Sequence, residues 1–298
     1  MPCYTERMRA AAVIALLASA CGAESGSLPK LSDAPDSSRQ PSAAETLHDQ
    51  LAAFFPLDES GDGARMDRVN GVELTPWQRT GWGAYAVDAS GTRAVPAQVG
   101  DGQHILGASG YHFATYHAPA LEHASGSFTW AGWLALDGSE SEAAQLTNQT
   151  WLAKWGGVPD TLNAPIDHRE YRIYYDAASS RFRFEVSADG LEGPGHSQRV
   201  THPLPIERER WYFLQASHDA ASGRVDLRVG TQAELGTIES APWQQGVFSG
   251  WADLDVGAEN TCTDDHLQGK VDALGYWTRV LTDGESQALW NDGAGREL

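Results

Sequence analysis

Cysteine is nearly absent from this chain of 298 residues: Cys3, Cys21 and Cys262 are all it has. Cys3 and Cys21 fall in an N-terminal export-type segment, so Cys262 is left without an intramolecular partner and a disulfide framework is excluded. Stability must then come from a core, and the chain has the apolar material for one, 11 Trp included. Positive charge is also scarce, with 21 Lys and Arg against 40 Asp and Glu and a formal charge of -19. That balance opposes binding to phosphate backbones and anionic lipid surfaces, so nucleic acid is not an expected partner. It suits a solvated extracellular domain and attracts cations. No G-x-S-x-G, H-E-x-x-H or P-loop occurs, which removes the enzyme classes those motifs carry.

The one sustained apolar run, AAAVIALLASA at 10 to 20, is too short to span a bilayer as a permanent helix. Arg7 and Arg9 precede it, and Cys21 and Gly22 follow, as in an export signal. The run ends in LASAC (17 to 21), which resembles a bacterial lipobox. That resemblance implies that residues 1–21 are a lipoprotein signal peptide and that Cys21 becomes the lipidated first residue. An ordinary secretory signal cleaved nearby is the alternative. Residues 22–50 are rich in Ser, Ala, Pro and Asp and poor in large apolar residues, a composition that cannot offset its ordering entropy. They read as a tether that lifts a folded domain, 51–298, off a membrane. The expected location is outside the cytoplasm, in the cell envelope, lipid-anchored at the outer membrane or cell surface.

From residue 51 onward the patterning is almost entirely β. RFRFEVSA (181 to 188) sets Phe182, Phe184 and Val186 on one side, and RVDLRVG (224 to 230) does the same with Val225, Leu227 and Val229. SFTWAGWLAL (127 to 136) groups Phe128, Trp130, Leu134 and Leu136, with Trp133 opposite. Strands with one wet face suit two antiparallel sheets packed together. Two hairpins share a turn, YYDAASSRFRFEV and SHDAASGRVDLRV, in which Asp and Ser satisfy turn backbone groups and Gly223 permits a positive φ. One helix is expected, opened by the capping box Thr282-x-x-Glu285 and closed near Asn291 and Gly293.

PLDESGDG (56 to 63), SFTWAGWLAL and GKVDALGYWTRVLTDGESQALWNDG (269 to 293) together resemble the concanavalin A-like, laminin G-type (LamG) jelly-roll domains of bacterial exported proteins. The resemblance implies an all-β, two-sheet antiparallel jelly-roll sandwich with one short C-terminal helix. It also implies a membrane-anchored, non-catalytic binding module whose partner is a glycan or an extracellular protein. The alternative it leaves open is a polysaccharide-active enzyme on the same fold.

Such an enzyme needs two carboxylates on alternate residues of one strand, flanking the glycosidic bond. Asp253 and Asp255 have that spacing, but they read as a strand entering an acidic loop. His112, His117 and His123 fit neither a helix face nor a strand and read as scattered surface residues. TCTDDH (261 to 266), holding Cys262, Asp264, Asp265 and His266, reads as an exposed loop, with metal binding the minor alternative. Trp77, Trp82, Trp243 and Trp251 sit in Gly-, Pro- and Gln-rich segments and are candidate sugar platforms, with core packing as the competing role. Asp272 is the misfit of the closing strand, since strict alternation from Lys270 to Trp277 puts it on the apolar side with Leu274 and Tyr276. A buried carboxylate needs a partner. The candidates are backbone N–H groups of the following turn, Arg279, or a calcium ion shared with oxygens near Asp58 and Asp101; related jelly rolls, by the resemblance, place calcium there.

Overall fold

The computed structural model describes residues 41–298 apart from 82–83, 116–117, 125, 139–146, 160–164 and 260–264. The signal segment, Cys21, most of the tether, Trp82, His117 and Cys262 lie outside the described residues.

Two antiparallel sheets pack face to face. The main path of the first runs β15 (Ile238–Pro242), β14 (Arg224–Thr231), β13 (Trp211–Asp219), β8 (Phe128–Leu136), β17 (Gln268–Trp277), β6 (Asp101–Leu106) and β5 (Thr92–Pro96). Its eighth strand, β1 (Leu51–Phe55), also pairs with β17. The main path of the second runs β12 (Ser197–Thr201), β11 (Arg181–Gly190), β10 (Pro165–Asp176), β9 (Gln149–Pro159), β16 (Leu254–Val256), β7 (Tyr111–Thr115), β3 (Glu73–Gly81) and β2 (Arg65–Met66). A ninth strand, β4 (Ala84–Val87), pairs with β3. The fold is the expected all-β two-sheet sandwich.

Alternation along the strands decides which side chains meet. Phe128, Trp130, Leu134 and Leu136 of β8 enter the central core with Leu214, Leu227, Ile173, Phe184 and Tyr276, while Ala131 and Trp133 point the other way. The two shared turns behave alike. Asp176 accepts the Ser179 N–H at 2.9 Å, Asp219 accepts the Ala221 N–H at 3.0 Å, and the last turn residues, Ser180 and Gly223, both have positive φ (54° and 62°).

The outer face of the first sheet is not wet. Ala131, Trp133, Phe213 and Trp277 form a second core there with Leu289 and Trp290 of α2 (Asp283–Trp290), and with Phe54 and Leu47. The expected capping box is present, with the Thr282 Oγ1 accepting from the Glu285 N–H and the Glu285 carboxylate accepting from the Thr282 N–H at 2.8 Å.

The reading of 22–50 as tether is corrected at its C-terminal end. Ser42 caps a short helix, α1 (Ala43–Thr46), and the following Leu47 is fully buried against the second core. Trp277 donates its indole N–H to the Leu47 carbonyl at 2.7 Å. Arg279 donates to the carbonyls of Thr46 and Asp49, both at 2.8 Å, and forks onto Glu285 at 2.7 and 2.8 Å. Four helical residues give too short a period to be seen in sequence, and one leucine among polar residues does not announce its burial.

These contacts predict that Leu47→Ala lowers the unfolding free energy by roughly 2–4 kcal/mol, as for other large-to-small core changes. A chain starting at Ala52 should lose at least as much, both read by urea denaturation. Equal midpoints for the shortened and the longer chain would show that Ser42–Gln50 is only a spacer.

Candidate binding site

With one face of the first sheet sealed by α2, the open chemistry lies at the second sheet and the loops that reach it. In β10 the pairing register shifts between Arg169 and Tyr171 on both sides of the strand. The bulge turns Glu170 into the protein, where its side chain is fully buried. Lys154 of β9 spans two carboxylates, Glu170 and Glu122, with Nζ 3.1 Å from each. His123 Nε2 lies 3.1 Å from the Glu170 carboxylate, and its ring packs on Phe128 and Tyr171. The buried Lys154 ammonium and the fully buried Glu170 carboxylate hold only because they are paired; removing one strands the other.

These acids also grip a loop. Glu170 accepts the Gly250 N–H at 3.0 Å and Glu122 accepts the Ser249 hydroxyl at 2.9 Å. Upstream, Phe248 donates its N–H to the Ser187 carbonyl at 2.8 Å and Val247 is in the central core. Downstream, Ala252 is fully buried. Between these anchors Trp251 is 68% exposed. A large apolar ring held outward by fixed neighbours is a candidate contact surface.

On the neighbouring side of β10, Arg172 lies over the rings of Trp155 (4.5 Å) and Tyr174 (4.7 Å). It also pairs with Glu185, Glu259 and Glu192 at 2.7 to 2.8 Å. Burial alone would lower its pKa, but Glu259 and Glu185 outweigh that and raise it, so the guanidinium is permanently charged. A separate open groove of about 480 Å³ is lined by His202, Leu204, Glu234 and Thr237. His202 accepts the Leu204 N–H through Nδ1 and donates to the Thr237 carbonyl through Nε2. Burial lowers its pKa, so it is a neutral brace between the walls.

The candidate tryptophans part company. Trp251 is displayed. Trp243 is not, being 6% exposed, packed in the central core and donating its indole N–H to the Gly246 carbonyl. The Gln- and Gly-rich segment that suggested a surface loop in fact folds its own ring inward. Trp77 is half-buried within β3, in register with His112 of β7. His112 and His123 are buried rather than scattered on the surface: His112 Nε2 lies 3.5 Å from Asp255, and its ring meets His266 edge-on at 5.7 Å. That also corrects the exposed-loop reading of TCTDDH at its last residue, His266, which is buried. Asp255 is buried in β16, and Glu259 is taken by Arg172. Glu122, Lys154, Glu170 and Ser249 were not singled out in the sequence; the available signal was a lone lysine inside the apolar run WLAKWGG.

Asp272 is buried at 1% exposure, but not on the expected face. Ala273 takes φ +48° and the register to β8 shifts between Asp272 and Gly275, a bulge that reverses the alternation. Val271 and Leu274 both face the central core, and Asp272 pairs across the sheet with Trp133, whose ring lies on the other side. Gly132 permits this, because a Cβ there would sit 3.1 and 3.2 Å from the carbonyls of Ala273 and Asp272. The carboxylate accepts the Val99 N–H at 2.6 Å and so fixes the turn between β5 and β6. Arg279 is not its partner, being committed to Glu285.

Calcium takes six to eight oxygens. Of the three expected carboxylates, Asp58 pairs with Arg68 at 3.0 Å, Asp101 is exposed at the start of β6, and Asp272 is buried. No three His, Cys, Asp or Glu side chains gather as a metal-holding group among the described residues. Asp272 Oδ1 is a buried oxygen without a hydrogen-bond partner, and the Asp58 charge acts on Asp272.

No family model matches the chain, and no curated protein matches it significantly. Its structure is similar to the binding domain of Paraclostridial Mosquitocidal Protein 1, with a TM-score of 0.55 and 10% identity over 82% of this chain and 52% of that one. The binding domain of botulinum neurotoxin DC, solved in complex with SialylT, gives 0.53 and 10% over the same shares. Trypanosoma rangeli sialidase gives 0.51 and 14%, over 83% of this chain and 34% of that one. The chain thus spans about half the length of the toxin domains. These likenesses establish the fold class, an all-β sandwich, and nothing about individual residues.

Burial pushes the Asp272 carboxyl up to about 7, against the N–H bonds from Val99, Ala273 and Gln98, and the Asp58 charge adds to the rise. A carboxyl raised on folding binds its proton more tightly in the native state. Its contribution to stability is therefore full below pH 4 and declines as pH rises to 7. The decline should be on the order of 4 kcal/mol. Asp272→Asn should remove this slope and be more stable than the wild type at pH 8 when EDTA is present. Urea midpoints across pH, with and without EDTA, check this; a wild-type slope that appears only with EDTA would reveal a cation at Asp272.

Proposed function

We propose that this chain is an exported, non-catalytic binding module of the LamG type, concanavalin A-like, held to the cell envelope by lipid on Cys21, and that it contacts glycan through the Trp251 loop. The observation that carries the glycan reading is the exposed indole of Trp251 on a loop anchored by Glu170, Glu122 and the core. Sugars present apolar C–H faces that stack on such rings, and a platform already fixed in place loses little entropy on binding. The botulinum neurotoxin DC binding domain, on a similar sandwich, has been solved with SialylT and with rat synaptotagmin II. An extracellular protein is accordingly the second reading, because an exposed tryptophan is also a common hot-spot residue.

Catalysis is left out of the proposal on chemical grounds. Polysaccharide hydrolysis needs two carboxylates that reach the glycosidic bond. Of the spaced pair, both Asp253 and Asp255 are buried, Asp255 beside His112. The lipid anchor rests on LASAC at 17 to 21; no helix among the described residues is long and apolar enough to cross a membrane.

On a glycan array, Trp251→Ala should weaken every sugar signal about tenfold or more, a loss of about 1.4 kcal/mol. Its melting temperature should stay put, since the ring supports no core. Undiminished sugar binding by Trp251→Ala would remove the loop from the reading, and a silent array with capture of an extracellular protein would favour the second. Cys21→Ser should abolish incorporation of labelled fatty acid and release the protein from membranes; unchanged labelling would sink the anchor.

A further inference from the structure

The groove between the 203–205 segment and the 234–237 loop has two walls that are held very differently. In the loop wall, Thr231 donates its N–H to the Glu234 carbonyl at 2.8 Å and Arg228 donates to the Gly236 carbonyl at 3.0 Å. Gly236, at φ +76°, lies so close to the strand beneath it that a Cβ would sit 2.1 Å from the Val229 carbonyl oxygen. The opposite wall follows His202 and reads Pro203, Leu204, Pro205. Proline has no N–H, so Leu204 carries the one backbone donor of residues 203–205. That donor goes to a side chain, the Nδ1 of His202, at 3.2 Å. The backbone ties on either side are the His202 N–H to the Phe182 carbonyl at 3.1 Å and the Ile206 N–H to the Ser180 carbonyl at 3.0 Å.

A ring nitrogen that accepts a hydrogen bond carries no proton. The His202 proton is therefore on Nε2, which donates across the groove to the Thr237 carbonyl at 3.3 Å. One neutral imidazole thus holds the less firmly tied wall and joins it to the other. The residue is 4% exposed, and Leu204 packs against the central core. Burial is the strongest influence on the ring and favours its neutral form; Glu239 of β15 acts the other way, and Arg181 of β11 acts with burial. Of the other charged groups here, Glu234 lines the groove and Arg228 is paired with Asp283.

We propose that His202 is an acid-released latch: protonation at Nδ1 sets one N–H against another at Leu204, and the 203–205 wall lifts from the groove while the 234–237 wall stays. The sign follows from linkage. The closed groove binds the ring proton more weakly than the open one, where the imidazole meets water, so acid favours opening. Below the ordinary histidine range the closed-to-open ratio falls by up to about tenfold per pH unit. Opening leaves the sheets intact, since the β11–β12 pairing ends at Thr201, and it uncovers the apolar lining at Leu204 and Val229. The latch is independent of the Trp251 reading.

The test is nuclear magnetic resonance on the isotope-labelled chain, following the His202 ring nitrogens and amide hydrogen exchange from about pH 8 to about pH 4. At neutral pH the ring should be the Nε2–H tautomer. Protection of the Leu204 amide, taken relative to the unstructured rate, should fall in step with ring protonation, while the Ile206 and Thr231 amides keep theirs. His202→Asn supplies an oxygen that accepts the N–H two residues on and has nothing to titrate in this range, so its Leu204 amide should show no acid step. If that variant folds poorly, the wild-type comparison of Leu204 with Ile206 and Thr231 decides. An Nδ1–H tautomer at neutral pH would overturn the latch. So would a Leu204 amide still protected beside a charged ring, or a ring that stays neutral until Ile206 and Thr231 exchange too. The same acid step in a folded His202→Asn would also overturn it.

Discussion

The fork of Arg279 on Glu285 is the contact that joins the chain's two ends. Burial would raise the Glu285 carboxyl, but the bonds from Arg279 and Thr282 hold it at about 2, so the pair stays ionised through the physiological range. The same guanidinium reaches the carbonyls of Thr46 and Asp49. One side chain thus caps the turn into α2, docks the segment around α1, and brings Leu47, Leu289 and Trp290 over Trp133 and Trp277. Without that lid the outer face of the first sheet would expose several large rings. With it, the middle strands of the sheet are buried on both sides.

On the second sheet the bulge in β10 sorts the charged side chains. It sends Glu170 inward to Lys154 and His123, and leaves Arg172 to stack on Trp155 and Tyr174. Two ion clusters sit side by side along one strand. Neither adds much net stability, because desolvation offsets most of the attraction. Their value lies in fixing geometry, since each acid has one set of partners and the Ser249–Gly250 backbone has one place to sit.

Legibility followed the period of the pattern. Phe128, Trp130, Phe182 and Val225 were readable because strand alternation and burial coincide, and Thr282 and Glu285 because a capping box is local. Asp272 was misread for the opposite reason: a single inserted residue at Ala273 reverses the alternation, and a bulge leaves no mark in composition. Trp243 and Trp251 lie in the same kind of segment, and only tertiary packing sends one ring inward and the other out. The Lys154–Glu170 contact joins positions 16 apart whose significance depends on strand pairing and a register shift, so neither residue stood out alone.

The route by which the N-terminal segment enters the fold has a mechanical consequence. A pull applied through residue 41 reaches the capped turn at Ser42, then the bonds from Arg279 and Trp277 to the 46–49 backbone, before it reaches the pairing of β1 with β17. These few side-chain contacts yield first and release several residues of slack while the sandwich stays closed. They act as a fuse in series with the sheet, placed ahead of the β1–β17 pairing.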